Sequence, residues 1–295
     1  MPTPPSFESV IITHDDERWH EAFLRFVPRI FPEISFRRWV EYGGWNERYR
    51  AFALVDGDRL VANASLERME LVRSGRRMRA WQLGAVGTEP ALRSQGLQRR
   101  IMQRVFQEVP DGEPVFLFAN QEVLGFYPRF GFRPVRERIF SAHVQVTPQP
   151  CSLRRLDCAN VDDRALLQRV ASTALPVTAR FGAADYGLIV LWYWCNFYPE
   201  GLWYAADADA VFVLERRPDN VLHIADVLSA RPIDLRSYLP ELVTSPNPRV
   251  EFGFTPELLW PEAEPTADYT EGVLFVRGAD DLPDEPFKFP LLAQT

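Results

Sequence analysis

Three strand-like runs joined by two tight turns lead straight into a short loop and an amphipathic helix, and that order leaves few folds open. Residues 49–55 and 60–72 read as strands on either side of Asp56-Gly57-Asp58, and Ser74-Gly75 turns the chain back into a third strand at 77–86. The third strand meets the run Val86-Gly87-Thr88-Glu89-Pro90-Ala91-Leu92-Arg93-Ser94-Gln95-Gly96-Leu97-Gln98. Beyond it, Leu97, Ile101, Val105 and Val109 share one helix face, while Arg99, Arg100, Gln103, Arg104 and Gln107 turn mainly to solvent. A strand–loop–helix junction of this kind gathers free backbone N–H groups at the positive end of a helix, where a phosphate or pyrophosphate can sit. A solvent-exposed turn capped by Gly96 also accounts for the loop taken alone.

The rest of the chain is built of short elements. Helices are expected at 16–27 and 33–39, the latter ended by Gly43-Gly44, and a further helix at 121–129 follows a short apolar strand at 115–119. A strand at 136–146 closes this half, and Thr147-Pro148-Gln149-Pro150 reads as a linker. Helix-like runs at 163–171 and 233–243, with strands at 203–214, 221–230, 249–254 and 272–276, then repeat the order hairpin, helix, strand. The expectation is an α/β protein of two domains, 1–146 and 147–295, each a mixed, mostly antiparallel sheet flanked by helices.

Composition narrows the function. The 295 residues carry a formal net charge of −7, which argues against a general nucleic-acid partner. The three cysteines, Cys151, Cys158 and Cys195, form no CxxC pair and suggest a reduced, cytoplasmic protein. The N-terminus has no basic-then-apolar signal pattern, and the apolar stretch 186–198 is too short to span a bilayer, so no membrane partner is expected. Dinucleotide (G-x-G-x-x-G) and P-loop (G-x-x-x-x-G-K-S/T) signatures are missing, as is the G-x-S-x-G elbow. His14, His20, His143 and His223 have no metal-ligand spacing.

A second motif gives the loop a context. Asn120 follows the strand at 115–119, and seven residues later Tyr127 opens Tyr127-Pro128-Arg129-Phe130-Gly131-Phe132. Together with Arg93-Ser94-Gln95-Gly96, this resembles the paired motifs of the GNAT N-acetyltransferases. That family reads the pyrophosphate of acetyl-CoA with Gln/Arg-x-x-Gly-x-Gly/Ala and carries Y-x-x-x-G-F downstream. Gln98 stands where the family usually has Gly or Ala. The resemblance covers about residues 45–146, and the second half only by element order.

The resemblance implies acetyl-CoA as co-substrate, held by Val86, Gly87, Thr88, Arg93, Ser94, Gln95, Gly96, Leu97, Gln98, Arg99 and Asn120. It implies Tyr127 as the acid that protonates the departing thiolate. Asn120 as a helix cap and Tyr127 as a core aromatic are the structural alternatives. Glu67, Glu70 and Glu89 are candidate bases, and Glu67 and Glu70 must point to opposite faces of one strand. Some tandem relatives use the terminal carboxylate as the base, and the apolar segment 287–292 could anchor Thr295 inward for that purpose. The run Leu191-Trp192-Tyr193-Trp194 suits either core or acceptor pocket. In the second half the place of the loop reads Ser229-Ala230-Arg231-Pro232-Ile233-Asp234, where Pro232 lacks an N–H, so that half is expected to be degenerate.

The expected reaction is direct acyl transfer from CoA to a small-molecule or peptide amine, by a monomer or homodimer. A CoA-binding sensor or scaffold without turnover, and an aminoacyl-tRNA-dependent transferase, are the alternatives.

Overall fold

The computed structural model describes residues 7–279 and 282–295. Two sheets stack with helices between and outside them. In chain order the strands are β1 (Glu8–Ile12), β2 (Tyr49–Asp56), β3 (Arg59–Arg73), β4 (Arg76–Thr88), β5 (Val115–Ala119), β6 (Arg133–Val135), β7 (Arg138–His143) and β8 (Arg154–Arg155). They continue as β9 (Phe181–Ala184), β10 (Leu202–Ala205), β11 (Ala210–Arg217), β12 (Val221–Ser229), β13 (Arg249–Phe252), β14 (Glu264–Asp268) and β15 (Val273–Arg277). The helices are α1 (Glu17–Ile30), α2 (Arg37–Glu41), α3 (Leu97–Glu108), α4 (Val161–Thr173), α5 (Gly187–Asn196) and α6 (Leu235–Leu242).

Strand alternation builds the layers. Along β2, Ala51, Ala53 and Val55 face one core while Phe52 and Leu54 face another, and along β11 Val211 and Val213 oppose Phe212 and Leu214 in the same way. Helix α3 covers the outer face of the first sheet through Leu97, Ile101, Met102 and Val105, and α6 covers the outer face of the second through Leu235, Leu239 and Leu242. Between the sheets lies one shared core to which α1, α2, α4, α5 and the tail residues Phe287, Phe289 and Leu292 all contribute.

The expected echo between halves is present in the topology. A β4–α3–β5 crossover places β5 parallel to β4, and β12–α6–β13 does the same in the second sheet. The sheets do not divide at residue 147, however. The first runs β1-β2-β3-β4-β5-β15-β6, with β9 added to the end of β3, and the second runs β14-β7-β13-β12-β11-β10-β8. Strand β15 thus pairs with β5 over its whole length, and β7 crosses into the second sheet between β13 and β14.

Three local expectations change. The run 121–129 holds two 3-10 turns, Gln121–Val123 and Tyr127–Phe130, with Gly125 between them and Pro128 inside the second. The strand expected at 203–214 is a hairpin, broken where Asp209 takes a positive φ of 50°. The strand expected at 136–146 is shorter, with β7 ending at His143.

Candidate active site

The site begins with an irregularity in β4. Asn63 pairs with Gly87 and Ser65 with Gly84, so Ala85 and Val86 face only Ala64 across the ladder. Two residues against one is a β-bulge, and Ala85 takes a φ of 47°, a left-handed conformation that costs a residue with a Cβ about 1 kcal/mol or more. Asn63 Nδ2 steadies it by donating to the Ala85 carbonyl at 3.0 Å. Past the bulge the sheet opens. Strands β4 and β5 are paired only from Trp81–Leu83 to Val115–Leu117.

A cavity of about 250 Å³ lies in this opening, lined by Leu83 to Val86 on one side and Phe118, Ala119 and Asn120 on the other. Glu67, Tyr127 and Thr295 line the same cavity. A shallower depression of about 550 Å³ on the second sheet, between β7 and α6, contains none of the motif residues.

The helix start expected to face a phosphate is that of α3. Its N-cap is Gly96 at φ 80°, reached through Ser94 at φ 64°, and no side chain caps it. No acidic residue lies in its first turn, and Arg93 and Arg99 are exposed beside it. Free N–H groups, positive dipole end and flanking cations therefore coincide. Helix α6 is the contrasting case, because Asp234 Oδ1 accepts from the Arg236 N–H at 3.2 Å. A carboxylate already fills the place an anion would take.

Several residues of the loop have other tasks. Gln98 folds back onto β3 and β4, its Nε2 donating to the Asn63 carbonyl at 3.0 Å, to Thr88 Oγ1 at 3.1 Å and to the Gly87 carbonyl. It braces the bulge. A Cβ at Gly87 would lie 2.6 Å from Ile30 Cγ2, so that glycine lets α1 pack on the strand. The Thr88 carbonyl accepts from Arg93 Nε at 3.3 Å, Arg100 reaches the Phe7 carbonyl at 3.1 Å, and the Leu97 side chain is core. The Gln95 side chain turns back to the Ala91 carbonyl.

Asn120 and Tyr127 both line the far wall. Asn120 precedes the first 3-10 turn, but its side chain does not cap it. Tyr127 is buried against Phe132 and Phe275, with ring centroids at 6.0 and 5.6 Å, and burial pushes its phenol up to about 12. It stays protonated through the physiological range.

The candidate bases separate cleanly. Glu70 is paired with Arg77 at 3.1 Å on the surface, and Glu89 is held by Arg29. Glu67 is buried with Oε2 lacking a hydrogen-bond partner among the described residues. Burial raises its carboxyl to about 7, and the charge of Arg48 opposes the rise only in part because Arg48 bonds Asp185.

Sequence reasoning passed over two contributions. The first is an aromatic wall, Phe36, Trp39, Tyr49 and Trp192, which joins α2 and β2 to α5. The cluster at 191–194 divides, with Trp194 fully buried in the core and Trp192 lining the cavity. The second is Gln82, whose amide holds the tail at both ends: Nε2 donates to the Ala293 carbonyl at 2.9 Å and Oε1 accepts from the Thr295 N–H at 2.8 Å.

The fold has counterparts among known proteins. Residues 17–135 match the model of an acetyltransferase (GNAT) domain. A probable N-acyltransferase from Enterococcus faecalis V583 is similar over 92% of this chain and 72% of its own, at 13% identity and a TM-score of 0.58. Eis1 from Mycobacterium abscessus is similar over 90% and 73%, at 14% identity and a TM-score of 0.57. A GCN5-related N-acetyltransferase from Anabaena variabilis covers 93% and 73%, at 18% identity and a TM-score of 0.55. No curated protein matches. At these identities the structural likeness is one of fold, and it extends across both sheets. Over residues 17–135 the chain is similar to the GNAT acetyltransferases.

Proposed function

We propose that the protein transfers an acetyl group from acetyl-CoA directly to a primary amine held in the same cavity. The observation that carries this reading is the convergence of a buried carboxylate whose Oε2 has no partner among the described residues (Glu67) and a protonated phenol (Tyr127) on the opening between β4 and β5. Acetyl-CoA supplies an activated carbonyl and a thiolate leaving group.

The protein's own groups divide the work. The uncapped amides of α3 with Arg93 and Arg99 hold the phosphates. Val86, unpaired across the bulge, and Asn120 line the path of the pantetheine arm. An amine acceptor with a pKa near ~10 arrives protonated, and a carboxylate whose own pKa sits near neutrality is suited to take that proton. Glu67 meets that condition. Tyr127 donates a hydrogen bond toward the leaving sulfur, and because its phenol is a weaker acid than a thiol of about 8.5, stabilisation of the developing charge is its main contribution. Thr295 stands at the same cavity as a second candidate base, and deletion of Gln294-Thr295 separates the two.

The test is calorimetric titration of the whole chain with acetyl-CoA, followed by thiol release in the presence of primary amines. Binding plus amine-dependent release is the expected result. Binding without release against any amine would make the protein a CoA-binding module and end the enzymatic reading.

A further inference from the structure

We propose that the acceptor is an amine cation on an aromatic or branched apolar body, not a polyamine or aminoglycoside; this rests on the acyl-transfer reading of the site.

The cavity wall carries the argument. Seven of its eighteen lining residues are aromatic, and Glu67 is the acidic side chain among the described residues. The wall is also rigid. Phe36 packs edge-on to Trp39 at 5.5 Å and lies 5.7 Å from Trp192, while Trp39 meets Tyr49 at 5.3 Å. Trp39 Nε1 donates to the Leu188 carbonyl at 2.8 Å, which ties α2 to α5. The rings are thus fixed before any ligand enters, and ring faces attract a cation as well as an apolar body.

Charge counting sets the valence. Two carboxylates line the cavity, Glu67 and that of Thr295, and together they balance at most two ammoniums. A third ammonium, which spermidine and kanamycin both carry, would be stripped of water against Phe36, Ile34 or Ile189 with nothing to pair it. At about 250 Å³ the space also falls below the common range for drug-sized ligands, roughly 300–1,000 Å³. The buried Trp192 indole N–H, which has no partner among the described residues, adds a donor that a ring-bearing ligand can meet.

The experiment is calorimetry of the whole chain with 2-phenylethylamine, 2-phenylethanol, spermidine and kanamycin, without CoA, and then thiol release with the same compounds. The expected result is that 2-phenylethylamine binds at least tenfold more tightly than the other three. Glu67→Gln should erase its advantage over 2-phenylethanol, and Trp192→Ala should weaken it about tenfold while acetyl-CoA affinity stays unchanged. Tighter binding or faster turnover of spermidine or kanamycin would overturn the proposal and leave acyl transfer standing. Loss of 2-phenylethylamine binding with octanoyl-CoA bound, but not with acetyl-CoA bound, would give the cavity to an acyl chain and overturn it as well. Binding of 2-phenylethylamine with no thiol release would support the ligand class and sink the transfer reading instead.

Discussion

The main-chain N–H of Thr295 donates to Gln82 Oε1 at 2.8 Å, so the tail ends against the strand that opens the cavity. Gln82 is fully buried, and its Nε2 also satisfies the Ala293 carbonyl. Gln82→Leu removes both partners and leaves a donor and an acceptor unpaired. The expected loss is about 1–3 kcal/mol in urea unfolding, with faster hydrogen exchange of the amides at 291–295. Unchanged exchange there would show that Phe289 and Leu292 hold the tail without Gln82.

Glu67 sets a pH dependence of both activity and stability. Its carboxyl is near 7 when folded, against about 4.3 in an unfolded chain. Activity requires the anion, so kcat/KM should climb with pH up to about 7 and level off above it. Glu67→Gln should lower the plateau by about 10²-fold or more and abolish that limb. The stability effect has the opposite sense. Between the two pKa values the unfolded chain has released a proton that the folded chain retains, so stability falls as pH rises, by at most about 1.4 kcal/mol per unit. Glu67→Gln should make this decline shallower, read from urea midpoints at pH 5 and 7.5, and leave the part that buried Asp226, also raised to about 7, contributes in the same window.

The division between Glu67 and Glu70 is legible in the sequence itself, because a strand sends residues three apart to opposite faces. The loop at Arg93–Gly96 is legible for a related reason: a glycine at a helix start and two arginines are local features. What local pattern does not contain is long-range pairing. Nothing in β15 or β7 marks them for exchange between sheets, since strand order depends on partners far along the chain. Ala85 gives no sign of its positive φ, because alanine has no preference for it. In α5 the apolar residues run all round the helix, so periodicity has no means to send Trp192 to the cavity and Trp194 to the core.

Tyr127→Phe separates chemistry from packing. The ring contacts with Phe132 and Phe275 do not need the hydroxyl, so the variant should keep its fold and its affinity for acetyl-CoA. Its kcat should fall about 10²-fold, the lower range for removing one hydrogen-bond donor to a developing charge. A drop in acetyl-CoA affinity with kcat preserved would assign Tyr127 to binding or packing.

Gln98 and Arg93 sit in one motif but should fail differently. The Gln98 amide supports Asn63, Gly87 and Thr88, yet its buried Oε1 has no partner among the described residues. Loss and relief partly cancel, and Gln98→Ala should cost about 1 kcal/mol of stability with little change in the KM for acetyl-CoA. Arg93 is exposed beside the uncapped amides of α3. Its replacement by alanine should leave stability within about 0.5 kcal/mol, as for most surface substitutions. The KM for acetyl-CoA should rise roughly 2- to 10-fold, the span of one solvent-screened charge-assisted contact. S-acetylpantetheine, which lacks the pyrophosphate, provides the control. An equal rise in its KM would remove Arg93 from the phosphate site.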